Sequence, residues 1–414
     1  MRQILFLFPL FFLFIVHPVS AQRKNFTYKF YGFIRGDLYY NNRTNVEAVD
    51  GNFYLYPLDK QLDPNGKDLN ANPNSNFFAF TSRLGIDITG PNIGSIKTSA
   101  KLETDLGGFN LAQYMLRIRH AYVNLAWDKG SALLLGQTWH PLFGDVFPEM
   151  LNLSTGSPFQ PFSRNAQLRY QYNHQNKLTI TVAGVYQQMY MSPGPKGKSK
   201  DYLRDGVVPE LFAGVNYHNN GFLVGIGVDM LSLKPRTESQ MKEQTYKVNE
   251  RVTAFTYMLQ AKYAKDNLNI AAKTFINSNQ GHTAMIGGYG VSSIDAVTGK
   301  QKYTSSQYST TWLNIVYGKK WRGGVFAGYT KNLGTPDNLL NTDLYYGTGL
   351  NIDQLCAGMI HFSYNLPHWK AGLEYSATTA WYGDERDINL SNGKVGNTHA
   401  VTNHRIFALF CYLF

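Results

Sequence analysis

The chain closes on Arg405-Ile406-Phe407-Ala408-Leu409-Phe410-Cys411-Tyr412-Leu413-Phe414. Read backwards in twos, Phe414, Tyr412, Phe410, Ala408 and Ile406 form one unbroken apolar face, the period of a β-strand. An apolar strand with a free edge recruits other chains in water. The pattern is stable only if the edge is paired and the face is covered, by a protein core or by lipid. The alternate residues Phe407, Leu409 and Cys411 are apolar too, so the second face must pack against material inside.

The other end of the chain favours lipid. Met1-Arg2 is a short positive start, Ile4 to Val16 is almost continuously apolar, and Val19-Ser20-Ala21 is a small-residue cleavage site. This predicts a Sec signal peptide over 1–21, because the apolar stretch is too short to span a bilayer and a cleavage site follows at once. No Cys sits at the cleavage point, so no lipoprotein anchor is expected, and the mature chain is predicted to start near Gln22. Beyond it, no window approaches 18 consecutive apolar residues, which excludes helical membrane spans. Mean hydropathy is −0.29, yet aromatics make up 14% and there are 38 glycines. Alternating lipid-facing and water-facing residues cancel in just this way in a transmembrane β-barrel.

The expected fold is therefore all-β, a transmembrane antiparallel barrel of about sixteen strands occupying 22–414. Seven short connections carry the residues of tight turns: Pro91–Gly94, Asp128–Gly130, His174–Asn176, Asn219–Gly221, Asp266–Asn267, Gly318–Lys320 and Leu366–His368. Eight long ones, near 41–76, 107–112, 140–163, 190–208, 233–248, 278–305, 332–353 and 382–402, are rich in Gly, Asn, Asp, Ser and Lys. Short turns belong on the periplasmic side and long loops outside. The segment Ile96–Glu103 shows the alternation, with Lys97, Ser99, Lys101 and Glu103 facing the lumen. One strand breaks phase between Leu116/Ile118 and Val123/Leu125, which predicts a β-bulge near His120–Ala121.

Aromatics mark two interfaces. Beside the turns stand Trp127, Tyr170, Tyr172, Tyr217, Tyr263, Tyr317, Trp321, Tyr364, Trp369, Tyr412 and Phe414. Beside the loops stand Tyr40, Phe78, Tyr114, Trp139, Tyr186, Tyr329 and Trp381. Cys356 and Cys411 fall on non-neighbouring strands, too far apart for a disulfide, and read as small packing residues.

Sixteen strands enclose a lumen wide enough for water, so passage of solute is the expected function. The 140–163 loop, rich in Pro and Phe, is expected to fold into the barrel and narrow it; a cap or a subunit contact is the plainer use of such a loop. The formal charge is +11, from 39 Lys and Arg against 28 Asp and Glu. The basic residues form no run and lie on strands between apolar neighbours, which speaks for an anion-attracting pore rather than nucleic acid. Alternation places Lys29, Arg35, Arg83, Lys97, Lys101, Arg117, Arg119, Arg169, Lys262, Lys273, Arg322 and Lys370 inside, with fewer acids: Asp37, Asp87, Glu103, Asp105, Asp229 and Glu374. Pairing across the wall accounts for many of them, and an excess of cations remains. The residues expected to select anions are Arg35, Arg83, Lys101, Arg117, Arg119 and Arg169, with Asp145 and Glu149 on the loop opposite them. Arg suits carboxylates because its fork binds two oxygens.

Signals for other chemistry are weak. The ten histidines show no i,i+4 pair and no zinc-type spacing, so no metal and no cofactor are expected. His120 is expected to be the one histidine pointing inward at mid-barrel. No nucleophile elbow or phosphate loop is present, so the chain is not expected to be an enzyme.

The stretches Tyr31-Gly32-Phe33-Ile34-Arg35-Gly36-Asp37, Ser82-Arg83-Leu84-Gly85, Lys101-Leu102-Glu103-Thr104-Asp105, Leu116-Arg117-Ile118-Arg119-His120-Ala121-Tyr122 and Leu135-Gly136-Gln137-Thr138 resemble the DcaP-like porins of Gram-negative outer membranes. The resemblance covers mainly the first 170 residues and the closing strand. It implies a trimeric outer-membrane porin passing small anionic solutes such as dicarboxylates, with Arg35, Arg83, Arg117 and Arg119 in its positive wall. It also implies contact with lipid and lipopolysaccharide. The Phe414 strand resembles the signal read by the β-barrel assembly machinery. The competing class is a receptor or adhesion barrel, closed inside and acting through its outer loops.

Overall fold

The structure is a computed structural model that describes residues 26–48, 51–79, 81–107, 115–384 and 388–414. The predicted signal peptide, its cleavage point and Tyr114 lie outside these residues.

Sixteen crossings form one closed antiparallel sheet. They are β1 (Thr27–Asn41), β2 (in two pieces, Asn74–Phe78 and Arg83–Thr89), β3 (Lys97–Asp105), β4 (Arg117–Ala126), β5 (Ser131–Trp139), β6 (Arg164–His174), β7 (Leu178–Tyr186) and β8 (Glu210–Asn219). Then follow β9 (Phe222–Leu233), β10 (Val252–Lys265), β11 (Leu268–Ser278), β12 (Gln307–Gly318), β13 (Trp321–Gly334), β14 (Ile352–Asn365), β15 (Trp369–Tyr382) and β16 (His399–Leu413). Both pieces of β2 pair with β1, so they count as one crossing. Each predicted turn joins two neighbouring strands. In Asn219–Gly221 the residues Asn220 and Gly221 have φ of 46° and 85°, the left-handed pair that matches strand twist in a two-residue hairpin.

The edge problem of the closing strand is solved by β1. Phe33 pairs with Leu413 and Asn41 with Arg405 along the whole seam. Gly32 N donates to Phe414 O at 3.0 Å, and Phe414 N donates to Gly32 O at 3.1 Å. Glycine is required here: a Cβ on Gly32 would stand 2.3 Å from the Arg83 carbonyl and 2.8 Å from the Phe414 ring. Gly32→Val is therefore expected to cost about 1–3 kcal/mol by overpacking the seam. A lowered urea midpoint of the detergent-folded barrel would register it; an unchanged midpoint would mean the seam can spread.

The apolar alternate face of β16 also finds its partner. Phe407, Leu409 and Cys411 are buried on the lumen side, packed with Tyr39, Phe78 and Leu151 of the 140–163 loop. Ile406 and Phe410 point outward and are exposed to the lipid layer. The predicted bulge is present at Arg119: His120 pairs with Glu103 and Ile118 with Thr104, leaving Arg119 as the extra residue. It turns both Arg119 and His120 inward and resets the phase, so that Ile118 and Val123 both face out.

Two members of the loop-side aromatic belt are corrected. Phe78 and Trp139 face the lumen: Phe78 is buried, its neighbour Phe77 takes the lipid side, and Trp139 stacks on Phe143 at 4.1 Å. Packing against inserted loops outbids the interface for both rings. Among the described residues Cys356 and Cys411 are free thiols.

The 140–163 loop folds into the lumen, with Leu142, Val146 and Phe159 fully buried. A second, unexpected segment also reaches inside. The hairpin Asn45–Ala48/Phe53–Pro57 buries Tyr54 and Tyr56, and the Tyr54 hydroxyl meets Ser376 Oγ of β15 at 2.9 Å. At the long-loop end, Gly287–Ile294, Gln301–Ser305 and Tyr345–Thr348 form a three-stranded sheet over the mouth.

Candidate functional site

The register of β1 to β4 aligns charges in rows across the inner wall. Phe33, Arg83, Asp105 and Arg117 form one row, and Lys29, Asp87, Lys101 and Tyr122 another. Between them lies Glu103. Glu103 and Asp105 are each gripped by two arginines. Arg117 holds Asp105 with Nε at 2.9 Å and Nη2 at 2.8 Å. Arg119 reaches Glu103 at 2.8 Å and Asp105 at 3.0 Å. Arg83 lies 3.4 Å from Glu103, Arg35 2.6 Å from Asp37, and Lys101 2.8 Å from Asp87. The bulge is what brings Arg119 between two carboxylates.

All six predicted cations therefore lie on the wall β1–β6, but five of them are paired. Arg169 is different: it donates to Gln167 Oε1 at 2.9 Å and to the Trp139 carbonyl at 2.5 Å, and forms no ion pair among the described residues. Arg164 joins it at the root of the inserted loop. Its guanidinium lies over Trp139 at 4.5 Å and Phe162 at 5.2 Å, and its Nη1 is buried without a hydrogen-bond partner. Alternation did not reveal Arg164, because it sits at a loop root where the period has not begun. Arg405 was legible, since it shares parity with Phe407 and Leu409; it is buried between Tyr39 and Tyr54 and donates to the Gly51 carbonyl. His120 is not alone in facing inward, as His361 is buried on β14 beside the lumen.

The loop is tied to the wall on several sides. Lys273 Nζ donates to the Leu142 and Phe143 carbonyls at 3.0 and 2.8 Å. Trp312 Nε1 donates to Gln160 Oε1 at 3.0 Å, and Arg35 Nη2 to the Leu151 carbonyl at 2.6 Å. Glu374 accepts from Leu151 N and from the Asn152 amide. These bonds fix a lining, not a mobile flap.

The two loop acids part company. Glu149 does not face the arginine rows; it is held by both nitrogens of the Arg322 fork on β13, at 2.5 and 2.6 Å. Asp145 is exposed to the lumen and accepts from the Asn216 amide at 3.4 Å. Burial alone would raise the Glu149 carboxyl. The hydrogen bonds and charge of Arg322 outweigh it, with Lys370 and His361 adding, and hold it below the ordinary value of 4.5. A depressed value means the tether contributes fully above the unfolded pKa and is lost as pH falls through the folded one. Channel noise should therefore stay constant from neutral pH down to about 4.5 and rise below it. Arg322→Gln should move that onset upward; an identical onset in both proteins would disprove the tether.

The closed barrel is a fold shared with known outer-membrane channels. The family model described as DcaP outer membrane protein matches residues 15–260. The chain belongs to the DcaP outer membrane protein family. Its place is the outer membrane. A comparison with curated proteins found none that matches. Among solved structures, this DcaP family member is similar to the outer membrane channel DcaP of Acinetobacter baumannii, with a TM-score of 0.65 and 18% identity over 94% of this chain and 97% of that one. It is similar to an anion-selective porin from Comamonas acidovorans, with a TM-score of 0.53 and 11% identity over 94% and 100%. It is similar also to the trimer form of OmpT of Vibrio cholerae, with a TM-score of 0.51 and 12% identity over 94% and 99%. At such identities the likeness concerns the fold: the sixteen-strand barrel is that of the outer-membrane porins.

Proposed function

We propose that this outer-membrane channel passes small hydrophilic solutes passively, with a preference for anions of the dicarboxylate type, and that it acts as a homotrimer. The observation that carries the reading is the unequal charge balance at the loop root. Asp37, Asp87, Glu103 and Asp105 are spent on Arg35, Arg83, Lys101, Arg117 and Arg119, while Arg164 and Arg169 stand beside them with no ion pair among the described residues. A guanidinium with no ion pair on the wall of a narrow lumen, as at Arg169, attracts carboxylates and discourages cations, and the buried charge of Arg164 adds to that field. The acids in the rows hold the forks in fixed directions, so the wall presents oriented donors. The trimer is supported by the family and by the trimer form of a barrel with the same fold. The passage needs no bond-making step, and none of the residues lining it is assigned a catalytic role.

Planar-bilayer recording in a tenfold KCl gradient tests this. A reversal potential on the chloride side, reduced by added succinate, supports the reading, and closures in threes support the trimer. Cation preference would overturn the anion reading. Folded, inserted protein without conductance would overturn the channel and move the function to the outer loops, as in a receptor or adhesion barrel.

A further inference from the structure

The sequence has no metal-type spacing, yet the fold gathers ligand-type side chains that the pore does not use. His140 begins the inserted loop, Glu210 begins β8, Asp229 lies in β9, and His282 lies in the 3-10 turn Gly281–Thr283 between β11 and β12. The side chains of all four are 0% exposed. His282 Nε2 stands 2.9 and 3.1 Å from the two Glu210 oxygens. His140 Nε2 is 3.3 Å from Glu210 Oε1 and 3.9 Å from Asp229 Oδ1. One ligand atom each from His140, Glu210 and His282 falls within 4.8 Å of the others.

Hydrogen bonding leaves this cluster incomplete. His140 Nε2, Asp229 Oδ1 and His282 Nδ1 are buried without a partner. Each such orphan is destabilising, having lost its water without gaining a partner. The ring nitrogen facing Asp229 Oδ1 is beyond hydrogen-bond reach at 3.9 Å. Among the described residues no Arg or Lys forms an ion pair with Glu210 or Asp229, so two buried carboxylates lack a cationic partner other than the imidazoles. Gln280 Nε2 donates to Asp229 Oδ2 at 3.1 Å, which anchors the carboxylate and leaves Oδ1 toward the cluster.

We propose that His140, Glu210, Asp229 and His282 bind a divalent transition-metal ion of the zinc type. Two imidazoles with carboxylate oxygens form a borderline donor set, which suits zinc and not calcium or magnesium. Zinc bonds of about 2.0–2.1 Å place tetrahedral ligand atoms about 3.4 Å apart; the imidazole-to-carboxylate separations here, 2.9 to 3.9 Å, bracket that edge, and the ligand atoms of His140, Glu210 and His282 all lie within 4.8 Å of one another. One contact must yield. His140 Nδ1 accepts the Leu142 N–H at 3.2 Å, and a metal on Nε2 moves the ring proton to Nδ1. The ion would cross-link the root of the inserted loop to two wall strands and to an outer connection, four segments remote in sequence. It goes beyond channel function and stands or falls without it.

The test uses the full chain folded in detergent, stripped with chelator, dialysed against zinc in excess calcium and magnesium, and assayed by elemental analysis. About one zinc per chain is expected, lost in His140→Gln and in His282→Gln and kept in His404→Gln, a change at an exposed histidine that controls for surface binding. No stoichiometric zinc, or the same amount in the cluster variants, would overturn the site and leave a proton-sharing cluster. If the variants fail to give the heat-modifiable folded band, cobalt on wild-type protein decides. An intense tetrahedral visible band supports the site; its absence overturns it.

Discussion

Replacing Arg119 with serine is expected to weaken anion preference and to cost about 3–5 kcal/mol, the scale for removing one partner of a buried ion pair. Arg119 is 7% exposed at its side chain and bonds both Glu103 and Asp105. Without it, Glu103 keeps Arg83 at 3.4 Å and Asp105 keeps Arg117, but the wall loses one positive charge. The reversal potential should move toward the cation side. A folding defect alone would also lower the signal, so the companion variant is Arg119→Ser with Glu103→Gln. Removing both charges restores stability without restoring the lost donor, and the two effects separate as in a double-mutant cycle. Stability recovered with selectivity still reduced supports a selecting role. Selectivity recovered along with stability, or unaltered in both variants, would show that Arg119 only braces the wall.

The second large effect is expected from shortening the inserted loop. Replacing 142–160 by a short glycine–serine link should raise single-channel conductance several-fold and lower selectivity, because the loop is what narrows a sixteen-strand lumen. The same change strands its wall partners. Lys273 would lose two carbonyl acceptors, Glu374 its backbone and amide donors, and Phe407 and Leu409 the Leu151 side chain. The urea midpoint should fall. Unchanged conductance would mean that the hairpin carrying Tyr54 and Tyr56 sets the bore instead.

Much of this was legible in the sequence for physical reasons. A period of two is visible wherever lipid and water face opposite sides, so the strands, the turns and a phase break near His120–Ala121 could be read directly, the bulge itself falling one residue earlier at Arg119. The apolar inner face of β16 signalled that something packs inside, and Leu151 of the loop meets it. Pairing was less legible. Alternation says that Arg117 and Arg119 point inward, but only register says that Asp105 and Glu103 stand opposite them. Glu149 could not be assigned to Arg322, because a loop carries no period. For the same reason Phe78 and Trp139 read as belt residues, since the packing that claims them comes from Leu151 and Phe143 of the inserted loop. The cluster of His140, Glu210, Asp229 and His282 has no sequence signal at all, as its members come from four separate segments.

The seam between β1 and β16 bears on how the molecule comes to exist. Its side-chain bonds join residues as far apart as Asn41 and Arg405, 364 positions along the chain. Contacts of that range are paid for in loop-closure entropy before they return any stability, and they slow folding. Fourteen strands can pair with a sequence neighbour on both sides, but β1 and β16 each wait for the other. Until they meet, the sheet is an open ribbon with two unsatisfied edges, each a template for the wrong partner. The rate of closure, rather than the strength of the finished wall, is then the step at which assembly and aggregation compete.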